Sequence, residues 1–134
     1  MIKPFKPESF AKLATVESNH WWFLALNQII IWTVRKYISP VCDFLEIGCD
    51  TGFVLMAVSA EYPSAQLTGT EFFEEGLVHA RKRIPNARFE RLDARTMNDI
   101  ACYDVIGAFD VLEHIGEDEL VLSKLSNALR ERVV

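Results

Sequence analysis

Residues 41–52 read VCDFLEIGCDTG, an apolar run that ends in Glu46 and breaks into a turn carrying Gly48 and Gly52. Residues 53–62, FVLMAVSAEY, follow at once and suit a helix. A strand that stops at a carboxylate and a tight glycine turn, then feeds a helix, is how α/β folds place a nucleotide-type ligand. The glycines allow positive φ or close backbone approach. The first turn of the helix offers N–H groups without intrahelical partners.

Working outward, the pattern predicts helices at 9–16 and 20–37, the second ended by Ser39-Pro40. Strand one spans 41–47 and is followed by a helix at 52–61. Strand two spans 65–70, with a helix at 74–83. Strands three and four cover 88–92 and 104–109. Leu120, Val121, Leu122, Leu125 and Leu129 predict a last helix over 117–130. The order β-α-β-α-β-loop-β-α requires parallel strands joined by right-handed crossovers. Residues 99–103 are too short for a helix, and no repeat or low-complexity tract is visible.

The chain has 134 residues, half apolar and a quarter charged, which suits one globular unit with a core. Its net charge of −5 argues against a nucleic-acid footprint. Cys42, Cys49 and Cys102 form no CxxC pair, and no His/Cys cluster has metal-binding spacing, so no metal is expected. Reduced thiols and a start without a signal-peptide core point to the cytoplasm. The greasy stretch at 27–34 is far below spanning length, so no membrane partner is expected.

Four acids stand at or just past predicted strand ends: Glu46, Glu71, Asp93 and Asp110. In a parallel sheet these ends share one side of the molecule, where ligands bind. Glu71 follows strand two, where a carboxylate can accept from both hydroxyls of a ribose. Asp93 can accept from an adenine amino group, with the Ala94 N–H serving a ring nitrogen. Glu46 is expected beneath the turn, orienting backbone N–H groups, and Asp110 near the far end of the ligand. A dinucleotide site wants GxGxxG, but Phe53 stands at the last glycine; no GxxxxGK[ST] exists.

With these residues in hand, the chain resembles the class I S-adenosylmethionine-dependent methyltransferases. FLEIGCDTG resembles their glycine-rich cofactor loop, LTGTE the second strand with its ribose-binding acid, RLDA the end of strand three, and YDVIGAFDVLEHI strand four and beyond. Glu17 to Phe23, an EXXHWWF pattern, resembles the lead-in of a group of small-molecule methyltransferases. The resemblance implies a Rossmann-like three-layer methyltransferase fold, truncated, with sheet order 3-2-1-4. It implies a helical lead-in at 1–40 and a partial S-adenosylmethionine-binding domain at 41–134. It places Gly48, Cys49 and Gly52 along the methionine part of the cofactor, with Phe109 and Asp110 bordering it. Glu71 would hold the ribose, Phe72 stack near the adenine, and Asp93 and Ala94 meet it. His114 is a weak catalytic candidate near the substrate entrance; His20 ranks behind it. Trp21, Trp22 and Phe23 are expected either to cover the cofactor or to pack a helix.

Two departures stand out. Asp50 occupies a usual glycine position, where it would crowd the cofactor and repel a carboxylate while favouring a positive sulfonium. Residues 24–28 also lack the arginines that some such lead-ins carry. Secondly, the sequence reaches only the helix after strand four, so strands five to seven of the family sheet fall outside it. The expected function is methyl transfer to a small-molecule acceptor, incomplete in this chain. The alternatives are a noncatalytic methyltransferase-like module working through association, and a nicotinamide-binding oxidoreductase. An uncovered strand four predicts a homodimer, through that edge or by exchange of terminal helices.

Overall fold

The computed structural model describes residues 6–131; expectations falling on 1–5 and 132–134 lie outside the described residues. Helix α1 is Ser9–Val16, and a 3-10 turn at Glu17–Asn19 leads into α2, Trp21–Tyr37. Then follow β1 Asp43–Ile47, α3 Phe53–Glu61, β2 Gln66–Glu71, α4 Glu74–Arg83 and β3 Arg88–Arg91. After a short turn at Ala94–Thr96 come β4 Val105–Ala108, a turn at Leu112–His114, and α5 Asp118–Ala128. The four strands form one parallel sheet ordered β3-β2-β1-β4.

Strand alternation sets the layers. Phe44 of β1 packs with Ile30 and Val34 of α2, Leu55 and Val58 of α3, and Leu77 of α4. Its neighbours Leu45 and Ile47 point to the other face, against Met97 and against Val121, Leu125 and Ala128 of α5. Phe44, Leu45 and Ile47 are fully buried, each contributing about 1.5–3 kcal/mol relative to exposure. Helix α4 carries Glu74 and Glu75 in its first turn and Arg81, Lys82 and Arg83 in its last, the arrangement that complements the helix dipole.

Boundaries depart from expectation where side chains take over backbone groups. Strand one begins at Asp43 rather than 41, and the Cys42 N–H donates to the Asp104 carboxylate at 2.8 Å. Helix α2 begins after His20, whose Nδ1 accepts the Trp22 N–H at 3.3 Å. The last helix stops at Ala128 instead of 130. Leu129 turns extended and bridges Tyr103 in parallel, with the Arg130 N–H donating to the Tyr103 carbonyl at 2.9 Å. The start of the β4 edge is therefore partly paired, contrary to the expectation that nothing covers it. Among the described residues, no helix is long and apolar enough to cross a membrane.

Candidate functional site

The turn after β1 is built from three left-handed residues: Gly48 at φ +64°, Asp50 at +48° and Gly52 at +78°. At Gly48 a Cβ would lie 2.6 Å from Val111 Cγ2, so a side chain there would push away the segment after β4. The Cys49 N–H donates to the Thr70 carbonyl at 2.9 Å, stitching the turn to the end of β2. The Asp50 N–H donates to Glu71 Oε2 at 2.9 Å, and the Phe73 N–H to Glu71 Oε1 at 3.3 Å. Glu71, only 6% exposed, therefore has one backbone donor on each oxygen. An ionised carboxylate has about four acceptor positions, which leaves room for further hydroxyl donors.

Glu71, rather than Glu46, is thus the acid that orients an N–H of the turn. Glu46 is 3% exposed and its Oε2 is buried without a hydrogen-bond partner. Burial above all, then Asp50, Glu71 and Glu17, pushes its pKa well above the carboxylate range. Asp50 keeps one side open to solvent. Even so, the protein packed around its carboxyl, followed by Glu71, Glu17 and Asp110, pushes its pKa up to about 8.

The other side of the turn is clamped by the lead-in. Thr51 is fully buried, and its hydroxyl donates to the Glu17 carboxylate, at 2.7 and 2.8 Å from the two oxygens. Arg83 of α4 donates to Glu17 Oε2 at 2.6 Å, to Thr51 Oγ1 at 2.9 Å and to the Ala14 carbonyl at 3.1 Å. Glu17 stood in the EXXHWWF pattern. Arg83 lies 66 residues away from it and gave no signal in the sequence.

These elements wall a cavity of about 700 Å³ at the C-terminal ends of the strands. The structure brings Gly48, Asp50, Glu71, Phe72, Asp93, Ala94, Asp110 and His114 onto its wall. Phe10 and Leu13 of α1, Phe23 of α2, and Phe73, Arg95 and Val111 join them. Four of the expected site residues lie elsewhere. Cys49 is buried in the core, where burial pushes its thiol pKa up. Gly52 faces Ala80 of α4, Glu46 lies off the wall, and Phe109 lines a different hollow beside β4. Trp21 and Trp22 are 70% and 51% exposed; of that aromatic trio, Phe23 alone reaches the cavity wall.

Asp93 is already engaged. It accepts the Arg95 backbone N–H at 3.0 Å and the Arg95 guanidinium at 2.6 Å. These hydrogen bonds lower its pKa. Arg95 also reaches Glu117 at 3.2 Å, so the one guanidinium on the wall is spoken for. His114 has a half-exposed side chain, with Nε2 3.9 Å from Glu113 Oε1. Among the described residues no group of His, Cys, Asp and Glu could hold a metal ion.

Comparison with known proteins agrees with this layout. Residues 45–134 match a family model described as a methyltransferase domain. The trans-aconitate 2-methyltransferase of Variovorax paradoxus is 33% identical over 97 residues, covering 71% of this chain and 37% of that protein. Among solved structures, SAM-bound CalS10, an amino pentose methyltransferase from Micromonospora echinaspora, superposes with a TM-score of 0.74 at 22% identity. That match covers 89% of this chain and 51% of the other. The [4+2]-cyclase SpnF matches with a TM-score of 0.72 at 17% identity, over 84% of this chain and 44% of that one. The chain therefore spans about half or less of these relatives' length. It belongs to the methyltransferase domain family, in its S-adenosylmethionine-dependent class.

Proposed function

We propose that the strand-end cavity holds S-adenosylmethionine and that the complete protein transfers its methyl group to a small molecule. The observation that carries this is the pair of backbone donors that fix Glu71 at the end of β2, on the wall of a cavity of about 700 Å³. That volume lies in the range of small-molecule sites, and the wall combines aromatic surface with carboxylates. Glu71 would take the ribose hydroxyls with its remaining acceptor positions. Phe72, Asp93 and Ala94 would flank the adenine, with Asp93 oriented by Arg95. Gly48, Asp50 and Asp110 would face the methionine part. The residues fit the group, with strain concentrated at Asp50.

When bound, the cofactor supplies an electrophilic sulfonium methyl. This chain's contribution is to bind it, orient it and exclude water. Phe10, Phe23 and Phe73 supply the apolar wall. His114 is the candidate to hold a proton near the entrance, and its exposure makes it a weak one. Residues 1–40 act as a lead-in that clamps the turn, and residues 41–134 as the cofactor-binding unit. Three free cysteines suit a cytoplasmic setting, and the apolar β4 edge suits a homodimer.

Calorimetric titration with S-adenosylmethionine, S-adenosylhomocysteine and NAD tests the reading. Binding of the first two without the third is expected. Binding of NAD alone, or of none, would overturn it. A second reading, a noncatalytic or differently acting module, draws on Asp50 at a glycine position. The SpnF match adds that this fold also serves a cyclase. Tight cofactor binding by the complete protein without methyl transfer to any small acceptor would favour it.

A further inference from the structure

Helix α2 departs from the pattern of a surface helix, which turns a polar face to solvent. Ile30 and Val34 are buried in the core, and by helical periodicity Trp21, Trp32 and Lys36 lie on the side away from them. Every tryptophan of the chain is on this helix. Trp21, Trp22 and Trp32 are 70%, 51% and 54% exposed, and Tyr37 at the helix end is 65% exposed. The HWWF segment thus sends Phe23 to the cavity wall and its tryptophans to solvent, where the cofactor reading gives them no task. Thr33, a polar residue on the flank, spends its hydroxyl on the Ile29 carbonyl at 2.8 Å. The helix has 17 residues, which makes the face about 25 Å long.

Charge along this helix has one sign, for α2 carries no Asp or Glu. Arg35 is paired with Glu61 of α3 at 2.6 Å. Lys36 joins no ion pair among the described residues; its ammonium lies 4.7 Å from the centre of the Trp32 ring and 5.2 Å from that of Tyr37, a cation held among aromatic rings. The asymmetry extends over the whole lead-in. Residues 1–40 hold five Lys and Arg against two Asp and Glu, whereas residues 41–134 hold 9 against 17. One of the two lead-in acids, Glu17, is buried in the clamp. Exposed Trp and Tyr beside an unpaired cation, on the basic part of an acidic chain, suit the headgroup layer of an anionic bilayer. There the rings keep their N–H and O–H groups wet and their apolar bodies inward, and lysine reaches back to the lipid phosphates. A two-fold contact of this face with its own copy would instead bring like charges together. A chain of net charge −5 also lacks the basic footprint of a nucleic-acid binder.

We propose that the outer face of α2 docks the protein on an anionic lipid surface, with Trp21, Trp32 and Tyr37 in the interface and Lys36 at the headgroups. The proposal goes beyond the cofactor reading and does not depend on it. Span length bears on crossing a bilayer, and a helix lying in the plane of the interface does not need it. The short apolar run at 27–34 therefore does not speak against docking. The same surface repels the acidic body, so the protein sits with its lead-in toward the lipid.

Because every tryptophan is on α2, intrinsic fluorescence reads the contact directly. The chain is titrated with vesicles of phosphatidylcholine mixed with phosphatidylserine, and with vesicles of phosphatidylcholine alone, with co-sedimentation measured in parallel. The expected result is a blue shift with the mixed vesicles that added salt weakens and that is markedly smaller with phosphatidylcholine alone. Trp21→Ser with Trp32→Ser should lower partitioning about tenfold. Lys36→Gln, which leaves the rings in place, should lower it about fivefold, and only on the anionic vesicles. All three positions are exposed, so circular dichroism of both variants should match wild type. No blue shift and no co-sedimentation would overturn the proposal, and so would equal vesicle binding by wild type and both variants. Light scattering covers the other occupant. Wild-type dimers that the two serine substitutions turn into monomers, without vesicle binding, would assign the face to a second copy and overturn lipid docking.

Discussion

Two of the cavities walled by the described residues measure about 700 Å³ each, and they differ in almost every chemical respect. One sits beyond the strand ends and is walled by Asp50, Glu71, Asp93, Asp110 and Glu113 among aromatic rings. The other runs along β4 between α2 and α5, and its wall is apolar except for Thr33 and Ser126. Size does not separate a ligand site from a packing groove. What separates them is where the chain changes direction. Strand ends release backbone donors and acids together, whereas the strand side exposes only what the alternation put there. The first cavity is also braced from three elements by Glu17, Thr51 and Arg83, while the groove beside β4 has no such bracing among the described residues.

The comparison breaks first at the clamp. Glu17→Ala leaves the Arg83 guanidinium, 17% exposed, without its carboxylate; removing one partner of a buried pair costs about 3–5 kcal/mol. Urea denaturation should show that loss, and a change below about 1 kcal/mol would mean that water replaces Glu17 freely. Next comes the ligand side. Glu71→Ala removes a charged acceptor worth about 1.5–3 kcal/mol, roughly 10- to 150-fold in S-adenosylmethionine affinity. An unchanged Kd would refute its assignment to the ribose.

Asp50 sharpens the contrast more gently. Asp50→Gly removes a side chain from a φ of +48° and should raise stability by about 1 kcal/mol. It should also tighten S-adenosylhomocysteine binding by relieving crowding; equal or poorer affinity would show a turn adapted to aspartate. The sign of the pH dependence follows from the raised pKa. Between the unfolded value of about 4 and the folded value of about 8, the folded chain holds a proton that the unfolded chain lacks. Stability should therefore fall as pH rises through that window, and Asp50→Asn should flatten the profile. Glu46 contributes in the same direction, so a residual slope is expected in the variant.

The smallest energetic effect belongs to the apolar groove. Ile29 and Leu122 are 61% and 50% exposed, so Ile29→Ser with Leu122→Ser should move stability by less than about 0.5 kcal/mol per site. Light scattering at micromolar concentration should nonetheless show dimers giving way to monomers. A monomeric wild type would remove the dimer from consideration.

Much of this was legible because it is local. The continuous burial of Phe44, Leu45 and Ile47 along an apolar run, the acids at strand ends, and the glycine turn all follow from neighbours in sequence. What stayed hidden depends on distant chain. The clamp joins residues 34 and 66 positions apart, and no local pattern announces such a pairing. Phe109 was expected at the ligand because it precedes Asp110. One step along an extended chain turns a side chain to the opposite face, which puts it in the apolar groove instead. Cys49 fails similarly: its N–H stitches the turn, while its side chain belongs to the core. The grip of Arg95 on Asp93 was invisible because charge patterning does not say which acid a nearby arginine will choose.

The Glu17 clamp has a thermodynamic corollary. A ligand that fixes the turn at Asp50 also fixes Thr51, one residue on, and Thr51 is what Glu17 and Arg83 hold. Docking of the lead-in and occupation of the cavity are therefore coupled, and the coupling free energy is the same read from either end. Saturating ligand should raise the cost of peeling residues 6–20 from the body, which hydrogen exchange in α1 would report as slower opening. Loosening the lead-in should weaken binding by the same factor; Glu17 itself lies off the cavity wall, although Phe10 and Leu13 of α1 line it.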